Sequence, residues 1–186
     1  NGEFLTKKES EYIINYQIES EKDSFLDEKK GKMVLDDDAI NFHISSILKL
    51  EEVLVEKIKN KNIKVVLDGI NSSGGLLVPK LLEALNVSIV KLNCEPNGIF
   101  DHNPEPIPNN LTKLSSLVVS EKADFGVAVD PDVDRLVFVC EDGSFFGEEY
   151  TIIALGNYIL SKQKGNTVSN LSSSNGLRDI TKNNNL

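Results

Sequence analysis

Two apolar runs, 127–129 and 136–139, enclose Asp130-Pro131-Asp132-Val133-Asp134-Arg135, and this stretch restricts the fold more than any other. The β-branched residues on either side read as strands. Pro131 has no N–H to give a ladder, so the acidic residues belong in a loop at a strand's end. Two carboxylates a few ångströms apart repel by roughly 4 kcal/mol at an effective dielectric of about 20. Three in alternate positions therefore call for screening by water, uptake of a proton, or a bound cation. The donors are all oxygen, which suits a hard divalent cation such as magnesium. A solvated acidic turn is the bland alternative. The closing arginine and the flanking strands weigh against it, because open α/β sheets take ligands at the carboxyl ends of their strands.

Size and charge narrow the remaining classes. With 186 residues and 40% hydrophobic content the chain can build one ordinary domain, or one domain with pieces of its neighbours. A net charge of −9 argues against binding nucleic acid, which needs clustered basic residues. No apolar run is long enough to span a bilayer, so no membrane partner is expected. Cys94 and Cys140 are too few for a disulfide framework or a zinc site and read as buried free thiols. No secretory signal is recognised, and the expectation is a reduced, cytoplasmic protein.

Periodicity orders the elements. Weak helical spacing runs over 6–22, followed by a charged stretch. Asp36, Asp37 and Asp38 read as an N-cap with first-turn charges. They open one long amphipathic segment through Ile40, Ile44, Ile47, Leu54 and Ile58. A strand is expected over 63–68, then a turn over 69–75, a helix over 76–85 and a strand over 87–92. The turn has glycines in phosphate-loop spacing, but Gly75 occupies the place of the required lysine, and the turn reads as a tight strand-to-helix connection. Residues 93–110, with four prolines, read as a long loop anchored by Ile99, Phe100 and Ile107. His102 in that loop has no second histidine or cysteine nearby and is not assigned as a ligand. A helix over 111–122, strands over 124–129 and 136–141, and a helix over 148–162 follow. Residues 167–170 look like the opening strand of a further unit. The alternation implies an α/β layered domain over 36–146 with incomplete structure on both sides.

Three stretches carry a resemblance to a known family. They are Val65-Val66-Leu67-Asp68-Gly69-Ile70-Asn71-Ser72-Ser73-Gly74-Gly75; Asn97-Gly98-Ile99-Phe100 with His102-Asn103-Pro104-Glu105-Pro106; and residues 123–136 around the acidic loop. In this order they resemble the α-D-phosphohexomutases, the family of phosphoglucomutase, phosphomannomutase and phosphoglucosamine mutase. The resemblance covers most of 36–175. It implies a three-layer α/β/α domain with a mixed sheet of about four strands, plus partial flanking domains. Residues 1–35 would be the end of a first domain and its linker, 36–146 the metal-binding second domain, and 147–186 the start of a third. Asp130, Asp132 and Asp134 would bind Mg2+, and Arg135 would hold phosphate or the reacting sugar. The substrate would be a phosphorylated hexose whose phosphate moves between the 1- and 6-hydroxyls by way of a phosphoserine. The remaining domains of the parent chain would be its other partners. The family's serine loop, of Ser-His-x-Pro type, is not found here, nor are its sugar-selecting and phosphate-binding loops. A fragment that is inactive alone is therefore expected.

Other readings of the acidic loop stay open on sequence alone. Asp130, Asp132, Asp134 and Glu141 match positions 1, 3, 5 and 12 of a calcium loop, although Arg135 stands where that loop requires glycine. An aspartyl-phosphate phosphatase also places Asp-x-Asp after a strand. A non-catalytic metal-binding module is the third.

Overall fold

The computed structural model describes residues 4–15, 31–36 and 38–185. The chain divides into two compact units, Asn1–Asp37 and Asp38–Leu186. The described part of the first unit contains one helix, α1 (Lys7–Ile14), opened by a reciprocal cap between Thr6 and Glu9. The charged stretch and the rest of the expected 6–22 helix lie outside the described residues.

In the second unit the elements run α2 (Ala39–Ile47), α3 (Val55–Lys59), β1 (Lys64–Asp68), α4 (Gly74–Ala84) and β2 (Ser88–Leu92). There follow α5 (Thr112–Ser120), β3 (Phe125–Val129), β4 (Leu136–Cys140), α6 (Glu148–Lys162) and α7 (Gly176–Asn185). The four strands form one mixed sheet in the order β2-β1-β3-β4. β1 is parallel to both β2 and β3, and β4 runs antiparallel to β3 along the edge. The central strands are the most buried, as their unbroken apolar runs require. On one face Val66, Ala128, Val137 and Val139 pack with Leu111, Leu114 and Val118 of the α5 region. On the other, Val65, Leu67 and Val127 pack with Leu81, Leu82 and Leu85 at α4 and Ile58 of α3. Alternate residues of each strand thus enter opposite cores, the three-layer arrangement expected.

This order also positions the site. The chain leaves β1 for β2 on one side and returns to β3 on the other, with α4 and α5 on opposite faces. The carboxyl ends of β1, β2 and β3 release, respectively, the turn 69–75, the loop 93–110 and the acidic loop 130–135 at one end of the sheet. That is where a doubly wound sheet leaves a crevice.

Several expectations are corrected. The long helix from 39 onward is two helices. Ser45 and Ser46 both donate to the Phe42 carbonyl, and the chain then tightens into turns through Lys49→Ser46, Leu50→Ile47 and Val53→Leu50 bonds. Asp38 stands at the N-cap of α2 but makes no capping bond with its side chain, and Asp37 lies outside the described residues. Residues 167–170 form no strand: Val168 is exposed, and Asn170 turns back to accept from Ser172 and Ser173 ahead of α7. Cys94 and Cys140 are free but only half-buried. Ile99, Phe100 and Ile107 are exposed and do not anchor their loop. Among the described residues no helix is long and apolar enough to cross a membrane.

Candidate metal centre

Val129 ends β3 inside the core, and Asp130 follows it still 92% buried, at 8% exposure. The Asp130 carbonyl accepts from the Val133 amide at 3.2 Å, and Asp130 Oδ1 accepts from the Arg135 amide at 3.1 Å. These two bonds fold six residues into a tight arch. Val133 at its crest has φ +63°, a left-handed conformation that is strained for a β-branched side chain. The arch brings one ligand oxygen from each of Asp130, Asp132 and Asp134 within 4.8 Å of one another, with Asp130 buried and the other two exposed. Among the described residues this is the one such acidic or metal-ligating group of three.

Crowding of like charge shows in the protonation of the group. Asp134 is pushed above the ordinary carboxylate value, first by a hydrogen bond shared with Asp130 and then by the charges of Asp132 and Asp130. Burial works against charge on Asp130, but the Arg135 amide and the shared hydrogen bonds with Asp134 and Asp132 outweigh it and hold its carboxyl below the usual range. Crowding among converging carboxylates thus falls unevenly, raising Asp134 and leaving Asp130 the readier to ionise. Three converging carboxylates, two of them open to solvent, suit a hard cation that keeps some of its waters, and the donor set fits magnesium.

Arg135 closes the arch. Its Nη1 pairs with Glu105 Oε1, and its Nε lies 4.0 Å from Asp130 Oδ2. Glu105 is the main reason the guanidinium is held above its ordinary value. Glu105 belongs to the loop 93–110, whose anchors are polar. Asn71 holds it at Ile99, Gly98 and Glu95. His102 Nε2 meets Asp68 Oδ2 at 3.0 Å, and Nδ1 lies 2.8 Å from the Asn103 carbonyl. Asp68, only 2% exposed, also accepts from the Ile70 amide and from Asn93.

Beside Arg135 opens a cleft of about 730 Å³, lined in part by Asp134, Thr151, Asn170, Ser172 and Ser173. Thr151 Oγ1 is buried there without a hydrogen-bond partner among the described residues. The calcium-loop reading does not survive this geometry. Strands flank the arch, and Glu141 lies beyond the far end of the five-residue β4, about 17 Å of strand away from the arch. His102, which sequence gave no role, is a partner of a buried carboxylate rather than a ligand. Ser72, Ser73 and Glu105 were not singled out by residue type; their contacts to the acidic loop come only with the fold.

Comparison with known proteins agrees with this α/β fold. Residues 41–143 match the family model described as phosphoglucomutase/phosphomannomutase, alpha/beta/alpha domain II. A probable phosphoglucosamine mutase of Methanosarcina barkeri is 38% identical over 139 residues, 74% of this chain and 30% of that protein. A phosphoglucomutase/phosphomannomutase of Thermococcus kodakarensis is 36% identical over 180 residues, 96% of this chain and 39% of that protein. The crystal structure of a putative phosphomannomutase from Thermus thermophilus superposes with a TM-score of 0.68 at 25% identity, covering 81% of this chain and 35% of that one. The chain thus spans between 30% and 39% of the length of these proteins.

Proposed function

The chain belongs to the phosphoglucomutase/phosphomannomutase family, and we propose that it is the metal-binding part of a longer magnesium-dependent phosphohexomutase. On this reading residues 1–35 end a first domain, 36–146 form the second and 147–186 begin a third. The whole protein would interconvert hexose 1- and 6-phosphates in the cytoplasm through a phosphoserine that this chain does not carry, so the chain alone would be inactive.

The observation that carries the proposal is the arch: three carboxylates within 4.8 Å, closed by an arginine, at the carboxyl end of a parallel strand. Asp130, Asp132 and Asp134 would hold the ion. When bound, magnesium supplies charge neutralisation at a phosphoryl oxygen. Phosphoryl transfer depends mostly on such neutralisation and on positioning. Arg135 supplies a planar fork matched to phosphate, which lysine does not copy. Glu105 takes Nη1 and Asp130 faces Nε, while Nη2 makes no ion pair among the described residues. The fork is therefore held at one edge and open at the other. The polar wall of the adjoining cleft, with Asn170, Ser172 and Ser173, suits the hydroxyls of a sugar.

A titration of the chain with Mg2+ and Mn2+, followed by amide NMR, tests this. Changes confined to 129–136 in wild type, and absent from Asp132→Asn, are expected. Equal binding by the two would defeat the assignment of the loop.

A further inference from the structure

The turn 69–75 has the glycine spacing of a phosphate loop without its lysine, and the acidic loop does not explain why it is built as it is. Its two serines point to a different task. Ser72 Oγ donates to the Pro131 carbonyl at 2.8 Å, and Ser73 Oγ donates to the same oxygen at 2.7 Å. Two hydroxyls therefore occupy both lone pairs of one backbone oxygen, 58 and 59 residues away in sequence.

That oxygen lies between the first two carboxylates. Rotation of the peptide plane joining Pro131 to Asp132 would swing Asp132 away from its companions. The serines fix this plane on one side of Asp132, and the Val133 amide bonded to the Asp130 carbonyl fixes the next. The turn is itself held firmly. Ile70 and Asn71 take left-handed conformations with φ of +49° and +53°, the Ile70 amide is tied to buried Asp68, and the Asn71 amide donates to the Asn93 carbonyl at 2.6 Å. Gly74 carries no side chain where one would collide with Val129 Cγ2 and meet Val133 Cγ2 at 3.5 Å. The strand end that leads into the arch and the arch's crest both rest on this one glycine.

We infer that the turn 69–75 is a clamp on the acidic loop, and that Ser72 and Ser73 are positioning residues which hold Asp132 in register with Asp130 and Asp134 before any cation arrives. The inference rests on the metal-binding reading of those aspartates. Neither serine would touch the ion. Each acts through the Pro131 carbonyl, so either alone would keep one bond, and loss of both would release the peptide.

The test compares wild type, Ser72→Ala, Ser73→Ala, the double alanine variant and a double threonine variant, with Mn2+ and Mg2+ alone as probes. Two lost hydrogen bonds of ordinary net strength predict about a tenfold weaker metal affinity in the double alanine variant. Each single variant should lose about two- to fourfold on the same basis, and threonine should restore most of the loss. Without metal, the amides of 132–134 should broaden or shift in the double alanine variant while those of β1 and β3 stay in place. A double alanine variant that binds like wild type and leaves these amides unchanged would overturn the clamp alone. Absence of metal-dependent change in wild type would instead overturn the metal reading, and the clamp with it.

Discussion

Asp134 shares a hydrogen bond with Asp130 and faces the charge of Asp132, so its carboxyl sits above the ordinary value of 3.8. The proton that relieves this crowding stabilises the folded chain at low pH, and that contribution is lost as pH rises through the raised value. Asp130 behaves oppositely: its lowered carboxyl stabilises the fold above the ordinary range and loses that contribution only in stronger acid. A divalent cation must displace the Asp134 proton. Calorimetry in buffers of different ionisation enthalpy should therefore show proton release on Mg2+ binding in acid that fades as pH rises through the raised Asp134 value. Release that grows with rising pH, or none at any pH, would contradict this account. Val133 offers a second handle, since asparagine tolerates its left-handed backbone better than a β-branched residue. Relief of about 1–2 kcal/mol of strain, less some apolar contact, makes Val133→Asn more stable by about 0.5–1 kcal/mol in urea unfolding.

At the scale of elements, the loop 93–110 depends on one buried carboxylate. Asp68 gathers His102, Asn93 and the Ile70 amide. Asp68→Ala leaves buried donors unpaired and should lower stability by about 2–4 kcal/mol, read from the urea midpoint at constant slope. Exposure of the 95–107 amides to hydrogen exchange should rise in the same variant, because the latch on that loop is gone. A cost below about 0.5 kcal/mol would show that the latch holds little. The strands were legible because unbroken runs such as Val65-Val66-Leu67 have no other stable use in a parallel sheet. The break between α2 and α3 was not, because it depends on two serine hydroxyls turning back on Phe42. The same division runs through the site. Asp130, Asp132 and Asp134 announce themselves by spacing within five residues, whereas Glu105 reaches Arg135 from 30 residues away. Polar anchors formed across such separations leave no periodic trace, which is also why apolar Ile99 and Phe100 stand out in the sequence as anchors although both are exposed in the fold.

For the molecule as a whole, charge complicates any test for a specific cation. At a net charge of −9 the folded chain repels itself, and any salt that screens the repulsion will stabilise it somewhat. A rise in melting temperature on adding magnesium chloride is therefore ambiguous alone. The specific part is the excess over sodium chloride at matched ionic strength. Binding only to the folded state adds RT ln(1 + [L]/Kd), about 1.4 kcal/mol at ten times Kd. For a chain of this length that corresponds to a shift of roughly 3–5 °C. Asp132→Asn removes one ligand and also one of three mutually repelling charges. Without metal it should thus melt slightly higher than wild type, while its magnesium excess should vanish. This crossing of the two curves separates a metal site from an acidic turn. In a solvated turn the substitution would leave the metal-free melting point almost unmoved, and magnesium would stabilise both proteins alike.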